Sequence, residues 1–178
     1  MLVKFEQFYD RISDVIGYIS GGLMILMMFN VFYDVINRYL FKSGSIALQE
    51  MEWHLFSVMF LLGISYALKE DGHVRVDLIY DTLNKKKQAI INIVGTVVFL
   101  IPFSLLIAFG SIDFVAEAYN VGEISGDPGG LTHRWIIKAS IPFAFFLLVM
   151  SSIGFVIKNM NQYLSADAPD VSAKEGQA

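Results

Sequence analysis

The sequence predicts an all-α membrane protein with four transmembrane helices, a short interfacial amphipathic helix between helices two and three, and both termini in the cytoplasm. Of the 178 residues, 55% are hydrophobic and 17% are charged, against about 45–50% and about 25% in an ordinary soluble domain. The apolar residues fall into four long blocks instead of being spread along the chain. This distribution is typical of an integral membrane protein.

The four apolar blocks define the predicted spans, at residues 15–41, 46–68, 89–118 and 135–157. At a rise of about 1.5 Å per residue, each block can cross a hydrocarbon core of about 30 Å as a helix. The blocks do not alternate over about 10 residues as barrel strands do. Residues 1–160 are therefore expected to form a single four-helix domain, and the small, polar residues 161–178 a disordered cytoplasmic tail.

The distribution of Lys and Arg predicts the orientation. Four of these residues fall on one side of the predicted spans: Arg38, Lys42, Arg134 and Lys138. The other nine fall on the opposite side: Lys4, Arg11, Lys69, Arg75, Lys85, Lys86, Lys87, Lys158 and Lys174. The positive-inside rule places the second side, with both termini, in the cytoplasm. We expect the N-terminal residues to be a retained cytoplasmic segment, because acidic residues precede the apolar run of span one.

A charged stretch, LKEDGHVRVDLIYD, follows span two. Val76, Ile79, Tyr80 and Leu83 have the i, i+3, i+4, i+7 spacing of an amphipathic helix, which is expected to lie in the membrane interface. His73, Arg75 and Asp77 would then set this elbow at the level of the lipid headgroups. One His near two Asp is not a convincing ligand set, so no metal site is predicted.

Polar residues inside the spans need partners, because a charge near the bilayer centre costs about 2.5–3.5 kcal/mol. Asp34 and Arg38 share one face of span one and can pair within the helix. Glu50 and Glu52 open span two, about 200° apart around the helix. One of these acids could pair with Arg38 and fix helices one and two. The other would need a different partner, within this chain or in another subunit.

Several function classes are excluded or disfavoured. The chain has no Cys, which rules out disulfides, thiolate catalysis and Cys-ligated metal centres. His73 and His133 are predicted on opposite sides of the membrane, so neither can pair with His54 around one haem. No nucleophile–base–acid set can be argued from the spacing, and no basic stripe suggests nucleic acid. Neither an enzyme nor a cofactor is predicted.

The segment AEAYNVGEISGDPGGLTHRWIIK joins spans three and four on the outer side. Its SGDPGG run is a strong turn signal. This segment is either a tight turn with interfacial charges or a docking surface for an extracytoplasmic partner. The candidate docking residues are Asp127, Arg134 and Lys138.

Three motifs together resemble one family: NRYLF, then LQEMEWHLFSVMFLLGISYALKEDGHVRVDLIY, then EISGDPGGLTHRWIIKASIP. They are similar to the small, DctQ-like membrane subunit of tripartite ATP-independent periplasmic (TRAP) transporters, over about residues 12–158. The resemblance implies a bacterial inner-membrane, non-catalytic scaffold subunit of a sodium-coupled organic-acid uptake system.

The implied partners are a large elevator-type membrane subunit, a periplasmic substrate-binding protein and membrane lipids. The large subunit would hold the substrate and sodium sites, and this chain would help to dock the binding protein. The alternative from another class is a self-sufficient small four-helix transporter that uses Glu50 or Glu52 as a proton site. That alternative predicts pH-dependent flux from the chain alone.

Overall fold

The computed structural model describes residues 2–70 and 80–165, and within these ranges the regular structure is entirely helical. Helix α1 is Leu2–Leu40, α2 is Ile46–Lys69, α3 is Lys85–Asn120 and α4 is Trp135–Ser165. Each is long and apolar enough to cross a membrane. The shortest has 24 residues, or roughly 36 Å at the α-helical rise. The prediction of an all-α protein with four spans is confirmed.

Helices α1 and α4 extend beyond their predicted spans. Helix α1 begins at Leu2, well before residue 15, and α4 continues to Ser165, past residue 157. The polar residues there still find partners between helices, since the Asn161 amide donates to the Glu6 carboxylate at 2.6 Å. Residues 161–165, predicted to start the disordered tail, are therefore helical, while the rest of the tail lies outside the described residues.

The predicted interfacial helix cannot be compared with the structure. Its elbow residues His73, Arg75 and Asp77 lie outside the described residues. The described chain resumes at Tyr80, and Asn84 then caps α3 through a hydrogen bond from the Lys86 amide at 3.3 Å.

Helix α4 is the centre of the packing. It contacts α1, α2 and α3, and α1 and α2 also form an antiparallel pair. One apolar cluster joins Ile16, Leu62 and Ala144 from α1, α2 and α4. A second joins Leu68 of α2 to Leu148 and Phe155 of α4. With 33% of its apolar segment buried within the bundle, α4 is the most buried of the four helices.

Small residues allow the helices to approach closely, as is usual in membrane proteins. The hydroxyls of Ser13 and Ser151 lie 3.1 Å apart between α1 and α4. At Gly154 an added Cβ would lie 2.5 Å from the Cβ of Tyr9, so only Gly lets α1 pack there.

Helix α3 contains a π-helical segment, Thr96–Leu100. Here the Ile101 amide bonds to the Thr96 carbonyl, five residues back. Pro102 follows immediately and has no N–H to give to the helix, and such sites are where α-helices widen or bend.

Both termini of the described bundle lie at one end, because Glu6 of α1 contacts Asn161 of α4. The start of α2 and the α3–α4 loop, residues 121–134, meet at the opposite end.

Candidate functional site

Glu50 fastens the α3–α4 loop to the start of α2. It is only 8% exposed, and its carboxylate accepts hydrogen bonds from the Ser125 hydroxyl and the Leu131 amide. The loop closes on itself between the same two residues, where the Ser125 amide donates to the Leu131 carbonyl at 3.0 Å. A buried carboxylate that accepts two hydrogen bonds therefore holds this loop in place. The sequence indicated a turn here but not this contact.

The SGDPGG turn requires glycine for two different reasons. Gly129 has a φ of +85°, which side chains rarely adopt. At Gly130 an added Cβ would lie 2.8 Å from Oε2 of Glu50 and would also strike the Ser125 side chain. The carboxylate can reach the loop backbone only because Gly130 has no side chain.

Two cations hold the base of the loop. Lys138 forms an ion pair with Glu123, and its ammonium lies 3.9 Å from the centre of the Phe114 ring. Arg134 lies 5.5 Å over the Trp53 ring, and its backbone amide donates to the Glu123 carbonyl at 3.1 Å. The loop is thus tied to α2, α3 and α4 at once.

Two of the three predicted docking residues, Asp127 and Arg134, lie in this loop, and Lys138 lies in the first turn of α4. Asp127 is exposed at the tip, where its carbonyl accepts from the Gly130 amide at 3.0 Å. Lys138 has an 18% exposed side chain engaged with Glu123, and Arg134 is half-buried against Trp53. The structure brings the two cations together at the base and leaves Asp127 as the charged group at the tip.

The expected pair between Arg38 and one of the two acids, Glu50 or Glu52, is not formed. Arg38 pairs instead with Asp34, one turn earlier in α1, as its spacing also allowed. Glu50 is occupied by the loop, and half-buried Glu52 has no ion pair among residues 2–70 and 80–165. Helices α1 and α2 are joined at this end by the Asn30 amide, which donates to the Leu48 carbonyl at 2.9 Å.

The sequence of this helical bundle matches a known family. A model of the DctQ component of tripartite ATP-independent periplasmic transporters matches residues 10–162. The chain belongs to the DctQ family. It is therefore a component of a TRAP transporter and a multi-pass bacterial membrane protein, and the expected family resemblance is confirmed.

Named relatives of this DctQ-family chain are permease proteins. A putative TRAP transporter small permease protein of Haemophilus influenzae is 32% identical over 139 residues, covering 77% of this chain and 86% of that relative. The ectoine TRAP transporter small permease protein TeaB of Halomonas elongata is 25% identical, covering 83% of this chain and 76% of TeaB.

A third relative is much longer than this DctQ-family chain. The sialic acid TRAP transporter permease protein SiaT of Haemophilus influenzae is 25% identical over 158 residues. The match covers 86% of this chain and only 25% of SiaT. In SiaT the matching region is therefore part of one longer permease polypeptide.

Sequence reasoning missed a second polar cluster, at the end of the bundle that carries the termini. Lys69 of α2 pairs with Asp14 of α1, and its carbonyl accepts from the Lys158 ammonium at 3.4 Å. The side-chain amide of Asn92 in α3 donates to Oδ1 of Asn159 in α4 at 2.7 Å. A signal was present, because Glu6, Asp10 and Asp14 repeat every four residues along one face of α1.

The described part of this DctQ-family chain offers no metal centre, since no group of three or more His, Asp or Glu side chains is placed to hold an ion. His54 is engaged locally, with Nδ1 2.6 Å from the Glu50 carbonyl. The α3–α4 loop is thus held in a fixed shape by contacts with three helices.

Proposed function

We propose that this chain is the non-catalytic scaffold subunit of a sodium-coupled, binding-protein-dependent organic-acid transporter in the bacterial inner membrane. In this proposal it packs against a large elevator-type membrane subunit, which holds the substrate and sodium sites. The observation that carries the proposal is the match to SiaT, where the same region is one quarter of a longer permease. A region that is a separate small permease in one case and part of a longer permease in another is expected to function next to the rest of that permease.

The arrangement of Glu50 argues against the self-sufficient transporter. A proton site must exchange protons with a pathway during each cycle. Glu50 instead accepts two hydrogen bonds from its own loop. Both hydrogen bonds of the Glu50 carboxylate thus stabilise the loop. In the proton-coupled alternative, Glu52 would then have to be the proton site.

We also propose that the α3–α4 loop faces the periplasm and helps to dock the substrate-binding protein. Both termini and the elbow of His73, Arg75 and Asp77 would then face the cytoplasm, where membrane lipids contact them. Support comes from the nine Lys and Arg residues on the terminal side, against four on the loop side. Within the loop, Asp127 is the exposed charge at the tip, while Arg134 and Lys138 keep the loop in shape.

Reconstitution tests the proposal. The cognate large subunit is placed in liposomes under a sodium gradient, with and without this chain and with and without the binding protein loaded with substrate. Uptake that needs all three proteins is expected. Undiminished uptake without this chain would contradict the scaffold role, and pH-dependent flux from this chain alone would favour the alternative.

A further inference from the structure

A notch opens between α1 and α2 in the half of the bundle nearer the termini. It has a volume of about 360 Å³, and we call it the α1–α2 notch. Its lining is almost wholly apolar and comes from both helices: Ser20, Gly21 and Met24 on α1, and Met59, Gly63 and Ile64 on α2.

The notch is open because Gly21 and Gly63 line it and no side chain from the described part of the chain fills it. One turn away, Gly17 shows the filled arrangement: an added Cβ there would lie 2.5 Å from the Tyr66 ring, which packs directly on the α1 backbone. At Gly21 and Gly63 an added Cβ would meet nothing within 4 Å. Between the same two helices, the space beside Gly17 is thus filled by Tyr66, whereas the space beside Gly21 and Gly63 is left open.

Ser20 gives the notch a polar requirement. The residue is only 8% exposed, and its hydroxyl lacks a hydrogen-bond partner among residues 2–70 and 80–165. In the hydrocarbon core of a membrane, water does not satisfy such a group, and a lipid chain has neither a donor nor an acceptor. A protein side chain or backbone group can both fill the volume and bond to the hydroxyl.

We propose that a side chain from a transmembrane helix of the large membrane subunit fills the α1–α2 notch. The same helix forms a hydrogen bond with the Ser20 hydroxyl. Small residues at a helix surface let a second helix approach closely, which is how helices associate in membranes. This inference rests on the proposed function, because the partner is the large subunit. The fused relative supports that choice, since its matching region lies in one chain with further permease sequence.

Filling the notch tests the contact. Gly21→Leu and Gly63→Leu place a side chain in it, and Gly22→Leu is the matched control. Gly22 is the next residue, also has open space around it, and does not line the notch. When each variant is co-expressed with the cognate large subunit, the two notch variants should recover about tenfold less large subunit, because the added side chain overpacks the interface. Gly22→Leu should recover it normally.

Cross-linking identifies the occupant. The chain has no Cys, so Met24→Cys carries one reactive group, at the rim of the notch. A cross-link to a transmembrane peptide of the large subunit is expected, and Leu106→Cys, exposed on α3, should not give the same peptide. Cross-linked pairs of this chain would overturn the inference in favour of a second copy.

The outcomes separate this inference from the proposed function. Normal recovery of the large subunit with Gly21→Leu and Gly63→Leu would overturn the notch contact and leave the scaffold role intact. Loss of a bound phospholipid from these variants, with normal subunit recovery, would likewise overturn it in favour of a lipid occupant. If the wild-type chain recovers no large subunit, the proposed function fails and this inference fails with it.

Discussion

Glu50 shows at the scale of one residue how a long-range contact decides the role of a charge. It bonds to Ser125, 75 positions along the chain, and to Leu131, 81 positions along. Its neighbour Glu52 has the same chemistry but faces another side of α2. The difference lies in which face of the helix meets the loop, so composition alone does not separate the two acids.

We expect Glu50→Ala to loosen the α3–α4 loop, because the Leu131 amide and the Ser125 hydroxyl would lose their buried acceptor. Limited proteolysis in detergent should cut the loop several times faster, and the thermal midpoint should fall. Glu52→Ala is the control and should change neither quantity. Equal behaviour of the two variants would mean that Glu50 does not hold the loop.

A second residue-scale prediction concerns Asp34 and Arg38. The Asp34 side chain is 3% exposed and the Arg38 side chain 47%, so removing Arg38 leaves a buried charge without its cation. Arg38→Ala should lower stability by about 1 kcal/mol, a modest figure because solvent screens the exposed guanidinium. The consequence should also be seen as reduced assembly with the large subunit.

The control for this pair is a second substitution. Asp34→Asn in the Arg38→Ala background should recover part of the loss, because a neutral amide is less costly to bury. Additive effects of the two substitutions in thermal unfolding would argue that the side chains do not interact.

At the scale of the helix, the sequence was sufficient for the spans but not for their ends. Span two was predicted at 46–68 and is Ile46–Lys69, since a polar connection and a charged stretch limit the apolar block on both sides. Helix α4 instead runs on to Ser165, because its polar residues pair across helices. A hydropathy pattern records where apolar residues stop, which differs from where the hydrogen-bonded helix stops.

The partners within the candidate site were harder to predict than the helices. The i, i+4 spacing gave the Asp34–Arg38 pair, because that contact is local. Glu50 with Ser125 and Lys138 with Glu123 depend on how the loop folds back over α2 and α4. No local spacing encodes those contacts, so the sequence predicted only that Glu50 or Glu52 would pair with Arg38.

Gly154 provides a prediction for helix packing. An added methyl would lie 2.5 Å from the Tyr9 Cβ, so Gly154→Ala should push α1 from α4 and cost about 1–3 kcal/mol. Gly110→Ala, where nothing lies within 4 Å, should leave stability equal or raise it by up to about 1 kcal/mol. Thermal unfolding of both variants in detergent measures the difference, and an unchanged midpoint for Gly154→Ala would contradict the close α1–α4 contact.

At the scale of the whole molecule, orientation can be tested directly because the chain has no Cys. Gly126→Cys in the loop and Asp81→Cys near the start of α3 are both at exposed positions, at opposite ends of the bundle. A membrane-impermeant maleimide should label Gly126→Cys in intact spheroplasts and Asp81→Cys only after permeabilisation. The reverse pattern would place the loop in the cytoplasm and exclude it from docking a periplasmic protein.

The molecule as a whole has a sparse core with exposed apolar faces. In its most apolar segment, α1 is only 6% buried within the chain, and α3 is only 11% buried. Lipid can cover such faces, but we infer that a protein group fills the α1–α2 notch, because the Ser20 hydroxyl has no hydrogen-bond partner in the described part of the chain. The bundle therefore fits a subunit that becomes complete only in an assembly.

The most direct test of this account is the mass of the complex extracted from native membranes in mild detergent, measured by native mass spectrometry. We expect the 20.0 kDa chain to be found in equal amount with a larger, very apolar membrane subunit. Finding only the free chain, or only multiples of it, would contradict the scaffold role and favour a transporter that works alone.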